Sequence, residues 1–537
     1  MSTGEIGTLI NQGRTQEVWQ RFCGFLDLTL AEFMAMQERL LHEQLQIIGK
    51  SELWRILMGE QVPASAEEFR RHVRLTTYED YEPYFKDKRE DILPEAPVAW
   101  ARTSGRSGNY KWVPYTASQL KVIGEGTLTI LLLASARERG DIALRPGDTL
   151  LYNLPARPYA SGYFLQSVAD LFDFRYLPPI EKTEEMSFEE RMAVSYKMAL
   201  RYGADVVGSI SSVLMKVAEN FAQGANSGGF SPQMLHPSVL WRVGRGMIRS
   251  KAQHRGLLPR DLWRVKGMLV GGTDTDIYRS RLTNYWGCAP SEMYICTEAI
   301  NFIASTIWTR REMYFLPHTC FYEFIPEEEW AKTRHDPNYI PATVLMDEVQ
   351  PGKRYEMVIT NFYGGPFIRY RNHDLVRFVS SQDEKNGIKL PAMVFDSRDS
   401  DVIDLAGFTG IIDEALLWHT LEDTHLPYQE WFVRKEVMDT GHAGLHLYIE
   451  LTEPMKDAEV AQRISAQLES RNQFYRDLVT MLGYAPVRVT QLPRGTFTQY
   501  VMKQREGGVD MSHWKPRHMN TPDSVRDTIL RIAEKRA

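Results

Sequence analysis

Between Ala117 and Phe221 the apolar residues change period repeatedly, and no other feature of the chain restricts its fold so tightly. Apolar residues recur at helical spacing from Ala117 to Ala134, whereas Asp148 to Tyr152 (DTLLY) is short and apolar. Helical spacing returns from Phe188 to Arg201, Asp205 to Gly208 (DVVG) is short and β-branched, and Ser211 to Phe221 is helical once more. A short apolar run bounded by turn residues reads as a buried strand. Strands that alternate with helices build α/β layers.

The flanks differ. Residues 15 to about 60 carry helical spacing throughout (Val18, Phe22, Phe25, Leu26, then Leu40, Leu41, Leu45, Ile48), and a further helix is expected to start after Pro63 at Ser65–Glu68. From Leu316 to Phe378 the character is β: CFYEFI, ATVLM, YEMVITNF, FIRYR and LVRFV, punctuated by Gly352, Gly364-Gly365 and Pro366. Short strands so spaced predict an antiparallel sheet or small barrel. Beyond Phe395, Trp431–Val433, Leu445–Leu451 and Val487–Val489 read as strands and Lys456 to about Leu468 as a helix. A closing helix has Thr521 at its N-cap and Pro522 at its first position. The expected architecture is therefore α/β. A large N-terminal domain (1–396) combines mixed sheets, helices and a small β-barrel; a hinge (397–404) leads to a smaller α+β C-terminal domain (405–537).

The net charge is −6 over 537 residues, which gives no reason to expect nucleic acid or an anionic membrane as partner. Cys23, Cys288, Cys296 and Cys320 form no CxxC pair, so a reducing compartment is expected. No basic segment followed by an apolar core opens the chain, and Leu128–Ala134 (LTILLLA) is too short a run to span a bilayer. These features predict a cytoplasmic protein.

Four short stretches carry chemistry. Thr103-Ser104-Gly105-Arg106-Ser107-Gly108-Asn109-Tyr110-Lys111 joins two apolar runs, Pro97–Trp100 and Trp112–Pro114. It reads either as a solvent-facing hairpin turn or as a loop whose backbone N–H groups, hydroxyls and Lys111 wrap a phosphate. It is not a Walker loop. Tyr294–Glu298 (YICTE) alone is a strand end with a capping threonine. Phe367–Phe378 (FIRYRNHDLVRF) alone offers a cross-strand Arg–Asp pair, and Ser397–Asp401 (SRDSD) marks the domain boundary.

In this order the four stretches resemble the motifs of adenylate-forming enzymes. TSGRSGNYK is similar to their [ST]SG[TS][ST]GxPK phosphate loop, departing at Arg106 and Tyr110. YICTE resembles their Tyr-Gly-x-Thr-Glu, and FIRYRNHD their Tyr-Arg-x-Gly-Asp, with His373 in place of glycine. SRDSD is similar to their Gly-Arg-x-x-Asp hinge. A narrower resemblance is to the acyl acid amido synthetases, the auxin- and jasmonate-conjugating enzymes and their bacterial relatives. It rests on GGTDTDIYRSRLTNYWGCAPSEMYICTE (271–298), FYEFIP (321–326), GKRYEMVITNFYGGPFIRYRNHDLVRF (352–378), PRGTF (493–497) and HWKPR (513–517), and it extends over roughly residues 95–520.

That resemblance implies an ATP- and acid-binding N-terminal domain, a rotating C-terminal domain, and two half-reactions. A carboxylate is activated as acyl-AMP with loss of pyrophosphate, and the acyl group then passes to an amine, usually of an amino acid. It implies that Thr103, Ser104, Gly105, Ser107, Gly108 and Lys111 hold ATP phosphates. Tyr294 and Thr297 lie at the adenine, Glu298 holds Mg²⁺, Asp374 takes the ribose hydroxyls, and Arg398 reaches the phosphates. Lys515 bridges acid and α-phosphate, with Lys503 a rival for that role. ATP and Mg²⁺ are the implied cofactors. A small carboxylic acid and an amine or amino acid are the implied partners, with coenzyme A an alternative acceptor and a non-catalytic binding homologue an alternative of another class.

Overall fold

The computed structural model describes residues 4–102, 111–186, 188–222, 236–271, 275–333, 336, 339–398, 402–405, 411–439, 443–472, 475–476, 479, 483–506 and 517–536. The chain divides into two compact units, Met1–Asn372 with Val376–Phe395, and His373–Leu375 with Asp396–Ala537.

The first unit opens with helices, as the spacing of residues 15–60 predicts: Thr15–Cys23, Leu30–Ile48 and Glu52–Met58. Thr29 starts the longest of them with a reciprocal cap, its N–H donating to Glu32 Oε2 (2.8 Å) while its Oγ1 accepts from the Glu32 N–H (3.2 Å). Ser65 caps the helix Ala66–His72, as expected. A hairpin follows, β1 (Ala99–Arg102) and β2 (Trp112–Tyr115), antiparallel in register from Ala99↔Tyr115 to Arg102↔Trp112.

The α/β alternation is then borne out element by element. The helix Ala117–Ser135 begins on a Thr116–Gln119 capping box and is buried from Gly126 to Ser135. Strands β3 (Thr149–Tyr152), β4 (Arg175–Leu177), β5 (Val206–Ile210), β6 (Gly267–Gly271) and β7 (Pro290–Ile295) pair in parallel, in the order β4-β3-β5-β6-β7. The helices Phe188–Tyr202 and Ser211–Ala222 flank β5 in sequence. The apolar run at Leu128–Ala134 understates its helix. With the polar residues and glycines before it, Ala117–Ser135 is long and apolar enough to cross a membrane, and its most apolar stretch is mostly buried in the unit, as a core helix is.

The expected antiparallel strands continue the same sheet: β8 (Phe302–Thr306), β9 (Met313–Phe315), β10 (Cys320–Pro326), β11 (Arg354–Asn361), β12 (Tyr370–Ser380) and β13 (Ala392–Arg398), in the order β7-β8-β9-β13-β12-β11-β10. Two expectations fail locally. ATVLM is no strand; Val344 makes one isolated bridge to Phe324 at the edge of β10, and no strand extends from it. FIRYR and LVRFV do not form separate strands: Phe367, Ile368 and Arg369 precede β12, which then runs unbroken from Tyr370 through His373, which takes φ 60°. Among residues with a side chain that left-handed conformation is uncommon, so the strand bends without ending.

The second unit holds β14 (Val402–Asp404) paired with β15 (Ile411–Asp413), and a sheet of β16 (Tyr428–Val437), β17 (Ala443–Leu451) and β18 (Val487–Leu492). β16 and β17 are antiparallel, β17 and β18 parallel. Helices that accompany them among the described residues include Glu414–Thr424, Asp457–Arg471, Thr496–Glu506 and Asp523–Glu534. The last starts one residue later than the sequence implies, with Pro522 at the cap, because the Thr521 hydroxyl is spent on the Arg517 carbonyl. PRGTF is held from below: the buried Glu450 accepts from the Gly495 and Phe497 N–H groups.

His518 ties this unit together. Its Nδ1 lies 2.6 Å from Glu414 Oε1, its Nε2 2.8 Å from Glu430 Oε1, and its ring stacks on Trp431. Burial opposes the charge, but the hydrogen bonds to both carboxylates outweigh it and raise the pKa from 6.5 to about 10. A raised folded-state pKa means stability that is complete below pH 6.5 and lost as pH rises towards 10. The melting temperature of this unit should therefore fall between those limits, and His518→Gln should lower it at pH 6.5 and flatten the pH dependence. An unchanged slope in the variant would overturn the assignment.

Candidate active site

The TSGRSGNYK stretch connects β1 to β2, so its ends are those of a hairpin. Lys111 stands at the start of β2, and Tyr78 holds the strand there, its hydroxyl donating to the Trp112 carbonyl (3.1 Å) and accepting from the Trp112 N–H (2.7 Å). Far along the chain, β7 is where parallel pairing ends: it runs parallel to β6 and antiparallel to β8. Ligands of α/β sheets gather at the carboxyl ends of strands where the topology changes. The carboxyl end of β7 delivers Tyr294 and then the tight turn Thr297–Ala299 with Glu298.

Three of the sequence motifs meet here. Lys111 Nζ lies 3.4 Å from Glu298 Oε1 and 3.3 Å from the Tyr370 hydroxyl, and that hydroxyl donates to the same Glu298 oxygen at 3.1 Å. Burial first, and the Glu298 carboxylate second, push the Tyr370 phenol well above its ordinary pKa, so it stays a neutral donor. The turn is fixed at its backbone as well. Asn361 Nδ2 donates to the Glu298 carbonyl (3.0 Å) and the Tyr115 hydroxyl to the Thr297 carbonyl (3.3 Å). Tyr370→Phe removes one hydrogen bond to a charged group. It should lower the rate of pyrophosphate release by about ten- to a hundredfold. A steady-state pyrophosphate assay checks this, and a rate equal to wild type counts against Tyr370 positioning Glu298.

The arginines beside Tyr370 serve the scaffold. Arg369 makes a bidentate pair with buried Glu323 of FYEFIP (Nε–Oε2 3.0 Å, Nη2–Oε1 2.7 Å) and donates to the Arg70 and Val73 carbonyls. Arg371 makes another with buried Glu356 of YEMV (2.9 and 2.6 Å). Sequence reading linked these stretches as one pattern but missed that their charged residues pair with each other.

It also found no motif in the N-terminal helices, yet these hold the site's loops. Gln37 Nε2 donates to the Pro317 and Cys320 carbonyls, and Gln44 clips the Gly364-Gly365 turn through the Gly364 N–H and Gly365 carbonyl (2.8 Å each). The signal was legible: both glutamines sit on the apolar stripe of Phe33, Leu40, Leu41, Leu45 and Ile48, where a polar side chain needs a buried partner. A Cβ on Gly365 would stand 2.2 Å from Gln119 Nε2 and 2.5 Å from Asn361 Cβ. Gly365→Ala should cost about 1–3 kcal/mol in urea unfolding. Stability equal to wild type would show that the turn is free to shift.

The remaining residues are placed as follows. Tyr294 is buried, stacked on Phe395 (5.8 Å, 25°), with its hydroxyl accepting from Asn372 Nδ2 (2.8 Å). Asp374 is buried on β12, next to His373, whose positive φ accounts for glycine in the resembled motif. Arg398 ends β13, and its side chain lies outside the described residues, as do Thr103, Ser104, Gly105, Arg106, Ser107, Gly108 and Lys515. Lys503 is exposed on the helix Thr496–Glu506 of the second unit.

Glu298 suits a hard cation. The hydrogen bonds and ion pair of its side chain among the described residues all run through Oε1, so an ion taken up by Oε2 would displace none of them. No group of three or more His, Cys, Asp or Glu placed to hold a metal ion lies among the described residues, so an ion here would depend on phosphate oxygens and water for its other ligands, as Mg²⁺ does.

A model of the GH3 family N-terminal domain matches residues 24–226, and a model of the GH3 family central domain matches residues 313–395. Together they span more than half of the chain. It belongs to the GH3 family. Among solved structures it is similar to the acyl acid amido synthetase AtGH3.15 in complex with 2,4-DB (TM-score 0.69, 18% identity, 96% of this chain and 95% of that one covered). It is also similar to 2-hydroxyisobutyryl-CoA ligase in the postadenylation state with 2-HIB-AMP (TM-score 0.58, 15% identity, 94% of each chain covered). At these identities the likeness is one of fold. No curated protein matches the chain in sequence. The GH3 matches include Gln37, Gln44, Lys111 and the whole FIRYR segment; Glu298 falls between them.

Proposed function

We propose that this chain activates a carboxylic acid with ATP and transfers the acyl group to an amine, forming an amide. The observation that carries this reading is the meeting of Lys111, Glu298 and Tyr370 at the carboxyl end of the last parallel strand. A cation that ends a Ser/Gly loop, a carboxylate held through one oxygen and a neutral phenol suit a polyphosphate and its counter-ion. Membership of the GH3 family supports the amide-forming branch over the coenzyme A ligases that share the fold.

In the first step an acid oxygen attacks the α-phosphorus, and pyrophosphate leaves with the electron pair of the broken P–O bond. In the second the amine attacks the acyl carbon, AMP leaves, and the amine's proton passes to solvent. Lys111 and residues 103–108 would bind phosphate, Asp374 the ribose, Arg398 the phosphates and Lys515 the developing charge at the α-phosphate. Mg²⁺ held at Glu298 would neutralise the triphosphate. In this reading residues 1–396 bind ATP and acid, 397–404 form a hinge, 405–537 move as the C-terminal domain, and the protein works in the cytoplasm.

Pyrophosphate release with Mg·ATP, measured over aryl, indolyl, fatty and jasmonate-like acids with amino acids or coenzyme A, tests it. Turnover with one acid, an amide product and loss of both in Lys515→Ala would establish the class. A thioester product would move the chain to the coenzyme A ligases, and ATP binding without turnover would make it a binding homologue.

A further inference from the structure

The helix Pro237–Ala252 of the first unit is amphipathic in the wrong sense for a purely soluble surface. Val239, Gly246 and Ser250 face inward; a Cβ on Gly246 would touch Leu257 and Leu262. On the opposite side, at helical spacing, stand Leu240 (54% exposed), Trp241 (64%), Met247 (50%) and Ile248 (72%). Gly244, between them, has open space above it. Four large apolar side chains on one 16-residue helix make a continuous stripe, not the scattered single residues of an ordinary surface.

The polar residues of the helix share one sign. It carries Arg242, Arg245, Arg249 and Lys251 and no acidic residue. Arg245 lies over the Trp241 ring at 4.6 Å. Arg242 is spoken for, since Nη1 donates to the Leu200 carbonyl at the end of the helix Phe188–Tyr202. That junction widens the basic rim: Ser238 Oγ donates to the Arg201 carbonyl, and Arg175 and Arg201 both lie over the half-exposed Tyr202 ring. A net charge of −6 for the chain conceals this local excess of cations.

We propose that this helix is a peripheral membrane anchor that lays its outer face into the headgroup region of an anionic bilayer. Charge selects the occupant. A second copy docking helix to helix would bring two sets of cations together with no carboxylate on either helix, whereas anionic headgroups would pair with the arginines while Trp241 and Ile248 enter the acyl boundary. Tryptophan at the interface and arginine or lysine beside it are the residue types this geometry uses.

The test uses the full chain and sedimentation with two vesicle types, phosphatidylcholine alone and phosphatidylcholine with about 30% phosphatidylglycerol. Binding is expected only to the anionic vesicles. It should fall at least about tenfold in the double variant Trp241→Ser/Ile248→Ser and in Arg245→Glu/Arg249→Glu, and in high salt for the wild type. Trp241, Ile248 and Arg249 are exposed and Arg245 is half-buried on the helix surface; thermal unfolding and pyrophosphate release should match wild type in both variants. No binding to either vesicle by wild type would overturn the proposal, as would equal binding by the variants. A concentration-dependent dimer in sedimentation velocity that Ile248→Ser abolishes would assign the face to a second copy instead and overturn it equally.

Discussion

Arg369→Leu should destabilise the first unit by about 3–5 kcal/mol, the largest loss expected from any single substitution in the motifs. The guanidinium is 6% exposed and its partner Glu323 is fully buried. Removing one ion leaves the Glu323 carboxylate in a low dielectric with only the Thr343 hydroxyl (2.7 Å) and the distant Arg70 for company. It also frees the Arg70 and Val73 carbonyls, which tie the helix Ala66–His72 to β12. Arg369 takes φ 43°, a conformation that these contacts hold in place. The double variant Arg369→Leu/Glu323→Leu should recover much of the loss, because the cost lies in the orphaned charge more than in the missing attraction. Urea unfolding of both variants checks this. If the double variant is as unstable as the single one, the pair acts through geometry and not through charge.

Glu298→Gln should reduce pyrophosphate release by about 10²–10³-fold while leaving the unfolding curve unchanged. The substitution keeps an oxygen to accept from the Tyr370 hydroxyl and removes only the charge and the second anionic oxygen. The turn remains pinned through its backbone by Asn361 and Tyr115. A loss of activity therefore reports on cation binding and not on folding. Raised Mg²⁺ should rescue part of the rate. Activity within about twofold of wild type would remove Glu298 from the mechanism.

The two predictions differ in how far the sequence foreshadowed them. Glu298 could be named because YICTE stands in order with three other motif stretches, and five consecutive residues then place the side chain at a strand end. Arg369, by contrast, stands just before the Tyr370–Asp374 signature, in a stretch read for that signature alone, and its side chain is committed to Glu323, 46 residues away. Nothing in FIRYR states that distance. The same holds for Gln37 and Gln44, whose partners lie 280 and more residues downstream. The strand pattern was legible where a run is apolar on both faces, as at Thr149–Tyr152. It misled at ATVLM, where the chain touches the edge of β10 through the single bridge Val344–Phe324 and no strand extends from it.

By itself the sequence determined the α/β alternation and the order of the motif stretches along the chain, because period, glycine placement and local capping act over a few residues. Only the tertiary structure decided that Lys111, Glu298 and Tyr370 share one oxygen and that two arginines of the motif serve the scaffold. It alone turned the apolar stripe of Pro237–Ala252 outward. Each of these depends on which surfaces meet across the sheet. That is settled by the sum of burial over the whole unit, a quantity no local stretch of residues contains.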